Sequence, residues 1–414
     1  MKILIAGQQR SIVGGVETYL RALVPALMES GHEIALLYDY APADPAGPTV
    51  DPPEAALPVW YSEGLRRSSQ QWQELTNWGP EVVYSNGLAS LDIVKSLQER
   101  YRTVLYLHAY WGTCTTGRKC HAFPTIQPCT RTFGPACLLL HYPRRCGGLN
   151  PLSALQMFQT ERARNAQFAD YQSILVASTH MSSEMQRHGV SSDRLHLLRL
   201  PLNDVSHSSP ATPKTPSGRL LFVGRLTNLK GVDFLIRAVP HAESKLGQKL
   251  TLTITGDGSE LAKLQRLAAR ERIAATFTGW VDNPGRRDLM RGSDLLVVPS
   301  LWPEPFGLVG IEAGNLGLPA AGFATGGIPD WLIPGRTGEL APADPPTVEG
   351  LADAIVRALA NNDHYSGLCR GAFEFSQQFT LERHVVELEA ILHDSGSASK
   401  AWVTTGVAAS NRGH

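Results

Sequence analysis

Short apolar runs, each closed by a turn residue, alternate with amphipathic stretches along almost the whole chain, and no other feature limits the fold as much. Lys2–Gly7 (KILIAG) is an apolar run ending in glycine and reads as a buried parallel strand. From Val16 to Met28 the residues Val16, Tyr19, Leu20, Leu23, Val24 and Leu27 recur with the spacing of one helical face, and HEIALLYD (His32–Asp39) returns to strand. Strand–helix–strand in this order implies a parallel sheet with right-handed crossovers. The alternation continues through EVVYSNG, a helix over Leu88–Arg100, the strand TVLYLHA, a helix over Leu152–Phe168 and the strands SILVAS and RLHLLRL. Ala41–Pro58 is too rich in proline for regular structure and reads as a surface loop.

Asn203–Gly218 is dense in Ser, Pro and Thr, the composition of a linker, and beyond it the alternation restarts. RLLFVGR, a helix over Val232–Leu246, LTLTITGDG, a helix over Glu260–Arg272, ATFTGWV, a helix over Arg286–Gly292 and DLLVVPS follow, then helices near Val348–Ala360 and Leu381–His393. The chain therefore divides into two doubly wound α/β domains, over 1–205 and 218–380, joined by a linker over 206–217. The helix over 381–394 is expected to pack back toward the first domain, and the small, polar tail over 395–414 to be disordered. Such sheets bind ligands at the carboxyl ends of their strands, and two facing domains make a central cleft.

Zero formal net charge gives no bulk argument for a nucleic-acid or membrane partner, so any electrostatic role must be local. The opening apolar run is too short for a signal peptide, and no stretch approaches the roughly 18 apolar residues of a membrane span. The chain reads as cytoplasmic, with its thiols reduced.

One segment stands apart. Between His108 and Gly148 lie Cys114, Cys120, Cys129, Cys137 and Cys146, five of the six cysteines, together with Arg118, Lys119, Arg131, Arg144 and Arg145 and no Asp or Glu. It forms a cysteine-rich insertion over 109–150 in the first domain, long for a loop and short of regular apolar spacing. The expectation is a structural zinc ion held by Cys114, Cys129, Cys137 and Cys146, with Cys120 spare, His121 a substitute ligand and an iron–sulfur cluster the alternative. The cysteine gaps of five, eight, seven and eight residues match no standard zinc pattern. The basic residues would offset thiolate charge and lower the thiol pKa values. They also suit an anionic acceptor such as a lipid-linked phosphate. The run Cys137–Tyr142 (CLLLHY) suits a peripheral contact with the inner face of the membrane, the alternative being that Leu138–Leu140 pack the segment onto its domain.

In the second half, VGRLTNLKG sets Arg225 at a strand end and Lys230 at the start of the next helix, which suits a diphosphate; two solvated surface charges remain the alternative. EPFGLVGIE holds Glu304 and Glu312 around an uncharged span in which Phe306, Gly307 and Leu308 open a helix. GRLTNLKG, GDGSE, GWV and PEPFGLVGIEAGNLGLP…TGGIPD, in this order over Leu220–Pro342, resemble the donor half of retaining glycosyltransferases of family 4, which have the two-domain GT-B fold of facing Rossmann-like domains. The loop GGVE (Gly14–Glu17) fits the family's first glycine-rich loop.

The resemblance implies a hexose transferred with retention from a nucleotide-diphosphate sugar, by default a UDP-sugar, to a glycan, lipid-linked or small-molecule acceptor, as in polysaccharide biosynthesis. It implies that Arg225 and Lys230 hold the donor diphosphate. Glu304 and His108 lie beside the sugar, Glu312 binds the ribose, and the backbone of Phe306, Gly307 and Leu308 meets the diphosphate. The backbone near Val281 meets the base, and Gly15 lets the first loop approach the donor. His108 is followed by Ala109 where the family often has Asp, LNDV (Leu202–Val205) replaces its Asn-Gly-Val-Asp, and Asp330 stands where Glu is commoner. No Asp-x-Asp motif is present, so no catalytic cofactor is expected and the chemistry is expected to be metal-independent. The alternatives are a nucleotide-sugar epimerase or phosphorylase of the same fold, or a catalytically silent module that binds nucleotide sugar or metal.

Overall fold

The computed structural model describes residues 1–394 except 43, 45, 46, 53, 54, 203, 204 and 206–214. Most of the expected linker and all of the tail over 395–414 lie outside the described residues. The first domain is built on β1 (Lys2–Gln9), β2 (Glu33–Tyr40), β3 (Val59–Tyr61), β4 (Val82–Ser85) and β5 (Thr103–Leu107). After β5 a small antiparallel pair, β6 (Cys120–His121) and β7 (Gln127–Pro128), interrupts the alternation, and β8 (Ser173–Val176) and β9 (Leu195–Leu197) complete the sheet. Its seven strands are all parallel, in the order β3-β2-β1-β4-β5-β8-β9.

The apolar runs are continuous because both faces of each central strand are covered. In β1, Ile3 and Ile5 pack with Leu20, Leu23 and Leu27 of the helix Gly15–Glu29, whereas Leu4 and Ala6 pack on the other face with Leu75, Ile93 and Leu97. The second domain repeats the plan with β10 (Arg219–Val223), β11 (Thr251–Thr255), β12 (Ala274–Gly279), β13 (Leu295–Val298), β14 (Ala320–Phe323) and β15 (Gly338–Ala341). These are parallel, in the order β12-β11-β10-β13-β14-β15. The strand order reverses between β1 and β4 in one sheet and between β10 and β13 in the other, which marks the two crevices where ligands bind.

The two domains touch along one side of the molecule. The helix Leu381–His393 lies against the helix Gly15–Glu29, where His384 Nε2 meets the Tyr19 hydroxyl at 2.8 Å and Nδ1 meets the Arg199 carbonyl at 2.8 Å. His32 pairs with Glu389 at 2.9 Å, and the Leu202 amide donates to the Phe379 carbonyl.

The insertion has its own anchor. Lys119, in the left-handed region at φ 53°, sends its ammonium into the domain to Glu184 Oε1 at 2.5 Å and donates also to the carbonyls of Thr113 and Arg131. Glu184 sits on the helix Thr179–Arg187 and binds Arg187 at 2.5 Å as well. From the same helix end, His188 accepts from the Phe133 amide and Arg187 donates to the Thr130 carbonyl. The Trp111 ring lies against Gly87 and Gly117, where a Cβ would come within 2.6 and 2.7 Å of it.

Candidate functional site

The site grows from the carboxyl ends of β10 and β13. After β10 the chain turns through Gly224 to Arg225, which is exposed, and then makes one turn, Asn228–Lys230. Gly231 follows at φ 64°, and a Cβ there would stand 2.0 Å from the Pro299 carbonyl oxygen. Glycine therefore lets the Lys230 turn press against the loop leaving β13, a contact completed by the Leu301 amide donating to the Leu229 carbonyl at 2.9 Å. That loop carries Glu304, whose backbone is gripped from the other side by Gly326 and Gly327; the Gly327 amide donates to the Glu304 carbonyl at 2.7 Å. Lys230 Nζ donates to Glu304 Oε1 at 2.6 Å, the Ser300 hydroxyl donates to the same oxygen at 2.5 Å, and the ammonium stands 5.6 Å from the Trp302 ring centre.

Phe306 is buried, and its carbonyl accepts from the Trp331 indole at 2.7 Å. Gly307, at φ 91°, caps the helix Leu308–Gly314, so the helix opens at Leu308, after the turn formed by Phe306 and Gly307. Glu312 projects from it to Arg286 at 3.1 Å; burial raises its pKa and Arg286 opposes that shift. Val281 follows Trp280, which is 78% exposed at the end of β12, and Asp282 then caps the next helix.

His108 closes β5 on the first domain's side. Its Nε2 lies 2.9 Å from Asn86 Oδ1, and its ring stacks on Tyr106 with centroids 4.5 Å apart. Burial, with His384 as a secondary cause, pushes its pKa down to about 3, so the ring is neutral near pH 7. The domains meet where the Thr179 amide and hydroxyl both donate to Asp330, at 2.8 and 2.5 Å. Gly15 heads its helix and stands alone: a Cβ there meets nothing within 4 Å. Any demand for glycine at 15 comes from a ligand and not from the fold. Sequence reasoning missed Asn86, Arg286, Ser300 and Trp302. Asn86, directly after β4 at a crevice, and Ser300, two residues past β13, carry the positional signal that would have found them.

Residues 13–203 match the family model described as Glycosyltransferase Family 4, and residues 217–361 match that of Glycosyl transferases group 1. The chain belongs to glycosyltransferase family 4. Among family-level relatives, a glycogen synthase of Mycobacterium tuberculosis is 38% identical over 146 residues, covering 34% of either chain. A D-inositol 3-phosphate glycosyltransferase of Catenulispora acidiphila is 39% identical over 150 residues, 33% of this chain and 35% of that one. The chain thus spans about a third of the length of the curated relatives it matches. The GT-B fold extends further. Sucrose-phosphate synthase from Thermosynechococcus elongatus superposes with a TM-score of 0.66 at 19% identity, over 94% of this chain and 98% of that one. Anabaena HepE in complex with UDP and glucose gives 0.65 at 18%, over 95% and 99%.

In this family 4 chain the insertion departs from its expected chemistry. All six cysteines are free, and among the described residues no three His, Cys, Asp or Glu side chains are grouped to hold a metal ion. The zinc site expected on Cys114, Cys129, Cys137 and Cys146 is therefore not formed in this structure. Burial raises the thiol pKa values, pushing Cys120 up to about 12, Cys146 up to about 11 and Cys137 upward too, and outweighs the lowering by Arg118, Arg144 and Lys119 respectively. The order of the segment comes from the Lys119–Glu184 anchor and the Trp111 packing.

Proposed function

We propose that this glycosyltransferase moves a hexose, with retention of anomeric configuration, from a nucleotide-diphosphate sugar to a glycan, lipid-linked or small-molecule acceptor, with a UDP-sugar as the default donor. The observation that carries the reading is the Lys230–Glu304 pair, 2.6 Å apart at the crevice where the second sheet reverses, with Arg225 exposed after the same strand. The ammonium has one carboxylate partner and an aromatic face, and it is partly open to solvent. A donor diphosphate would draw it from Glu304, leaving that carboxylate to accept from hydroxyls of the sugar. Charge develops on the diphosphate as the glycosidic bond breaks, and Arg225 and Lys230 are fixed cations suited to that charge.

With Asn86 Oδ1 accepting from Nε2–H, neutral His108 keeps Nδ1 as an acceptor for a sugar hydroxyl. The departing phosphate oxygen takes the acceptor's proton, so no protein base and no metal is needed. Glu312, held by Arg286, is suited to the ribose hydroxyls, and the turn before Leu308 to the diphosphate. HepE, of the same fold, has been solved with UDP and with UDP-glucose, which supports a nucleotide-sugar donor here.

The test is incubation with nucleotide sugars, with and without candidate acceptors. Slow donor hydrolysis alone, faster donor loss with acceptor, and a product of unchanged anomeric configuration are expected. Epimer formation without acceptor, or an inverted product, overturns the reading.

A further inference from the structure

The surface around the end of the insertion takes no part in the transfer reading, yet it has an unusual make-up. Leu139, Leu149 and Leu152 are 79%, 81% and 71% exposed, and Tyr142 and Leu155 are exposed beside them in sequence. Leu139 belongs to the short helix Ala136–Leu140, which packs on the helix Pro151–Gln167 that carries Leu152 and Leu155 one turn apart. The flanking Leu138 and Leu140 are half-buried, and Phe133 meets Phe158 at 5.1 Å between centroids. The segment is thus fixed to its domain by one set of apolar residues while a second set points to solvent.

The stretch of chain that carries these leucines has charge of one sign. No Asp or Glu occurs between Glu99 and Glu161, and none of Arg118, Arg131, Arg144 and Arg145 makes an ion pair among the described residues. Arg145 lies over the exposed Phe123 ring at 5.4 Å, which ties a cation to an apolar side chain. A protein partner would need a complementary acidic and apolar relief. An anionic bilayer offers both components everywhere, a negative surface over an apolar layer that accepts single leucines.

We propose that Ala136–Leu155, with Arg118 and Arg145 beside it, docks this enzyme on the surface of an anionic lipid bilayer. Arg118 and Arg145 meet phospholipid headgroups, and Leu139, Leu149 and Leu152 enter the layer beneath. Docking holds the first domain at the membrane by the segment that leaves β5 just after His108. This inference goes beyond the transfer reading and needs no donor sugar to test.

The test is co-sedimentation of the full chain with vesicles of pure phosphatidylcholine and of phosphatidylcholine with phosphatidylglycerol, at low and high salt. Binding to the anionic vesicles alone, weakened by salt, is expected. Replacing Arg118→Gln and Arg145→Asn, the latter chosen because Asn tolerates the left-handed backbone there, should weaken it roughly fivefold per cation removed. Leu149→Gln with Leu152→Gln should abolish stable binding while leaving the melting temperature in place, because both leucines are solvent-exposed. Absence of binding to anionic vesicles overturns the proposal, as does binding that these variants leave unchanged. A concentration-dependent dimer that the leucine variants dissolve, without vesicle binding, overturns it in favour of a second copy of the chain.

Discussion

Two lysine–glutamate pairs of nearly equal length lie in opposite halves of the molecule. Lys119–Glu184 spans 2.5 Å and Lys230–Glu304 spans 2.6 Å. In the first, both side chains are almost fully buried, at 2% and 1% exposure, and two carbonyls complete the ammonium's shell. In the second, the lysine is 23% exposed, and its remaining neighbour is the face of Trp302. Distance alone does not separate a structural pair from a site. Separation comes from what else each charge touches: a satisfied, dry pair has no capacity left for a ligand, whereas a cation with one partner at a crevice can exchange it.

The contrast can be broken from either side. The largest effect is expected at Lys119→Met, which leaves Glu184 short of its principal partner in a dry site and should cost about 3–5 kcal/mol of stability, read from denaturant unfolding. Lys119→Met with Glu184→Leu should recover part of that loss, because the buried carboxylate leaves with its partner and the partly exposed Arg187 can turn to solvent. Lys230→Ala and Glu304→Gln should do the reverse. They should lower turnover by about 2.7–4 kcal/mol of barrier, with a melting temperature close to the parent's. Near-normal turnover in Lys230→Ala would remove the diphosphate assignment.

A third difference concerns protons. His108 and His384 are neutral when folded, with pKa values pushed down by burial to about 3 and about 4, against 6.5 unperturbed. The unfolded chain therefore binds more protons below pH 6.5. Stability is fully present above that pH and falls as pH drops toward about 4, by up to roughly 3 kcal/mol for His384 alone. Replacing His384 with Gln should flatten this acid limb in melting curves taken from pH 7 to pH 4. The smallest effect is expected at Gly15→Ala. Nothing in the protein stands within 4 Å of the added methyl, so stability should stay within about 0.5 kcal/mol, and a raised donor KM would point to a ligand at that loop.

The sheets were legible because each central strand is buried on both faces, so KILIAG, SILVAS and DLLVVPS carry unbroken apolar runs. RLHLLRL (Arg194–Leu200) shortened to Leu195–Leu197, since Arg194 closes the single turn Ser192–Arg194 and Leu198–Leu200 lie beyond the strand. The helices Ser69–Trp78 and Asn362–Ser376 escaped notice: the first buries only Leu75, and the second carries two glycines and scattered polar residues among its apolar ones. Of the site, Lys230, Glu304 and Glu312 were legible as charges beside glycine-rich turns. Arg286 was not, since its hydrogen bond to Glu312 spans 26 residues and leaves no local pattern; Ser300, four residues before Glu304, was overlooked beside the charges. The insertion misled because cysteine count is visible in a sequence, whereas the long-range pair from Lys119 to Glu184 is not.

The central claim, that the Lys230–Glu304 pair opens to a diphosphate, is tested most directly by thermal shift with UDP and with uridine. A ligand that binds only the native state stabilises it by about 2.7 kcal/mol at one hundred times its Kd. UDP is expected to raise the midpoint of the parent well above uridine's effect, and Lys230→Ala to lose that excess while keeping the uridine response. Equal shifts from UDP and uridine in the parent, or an undiminished UDP shift in Lys230→Ala, would contradict the account.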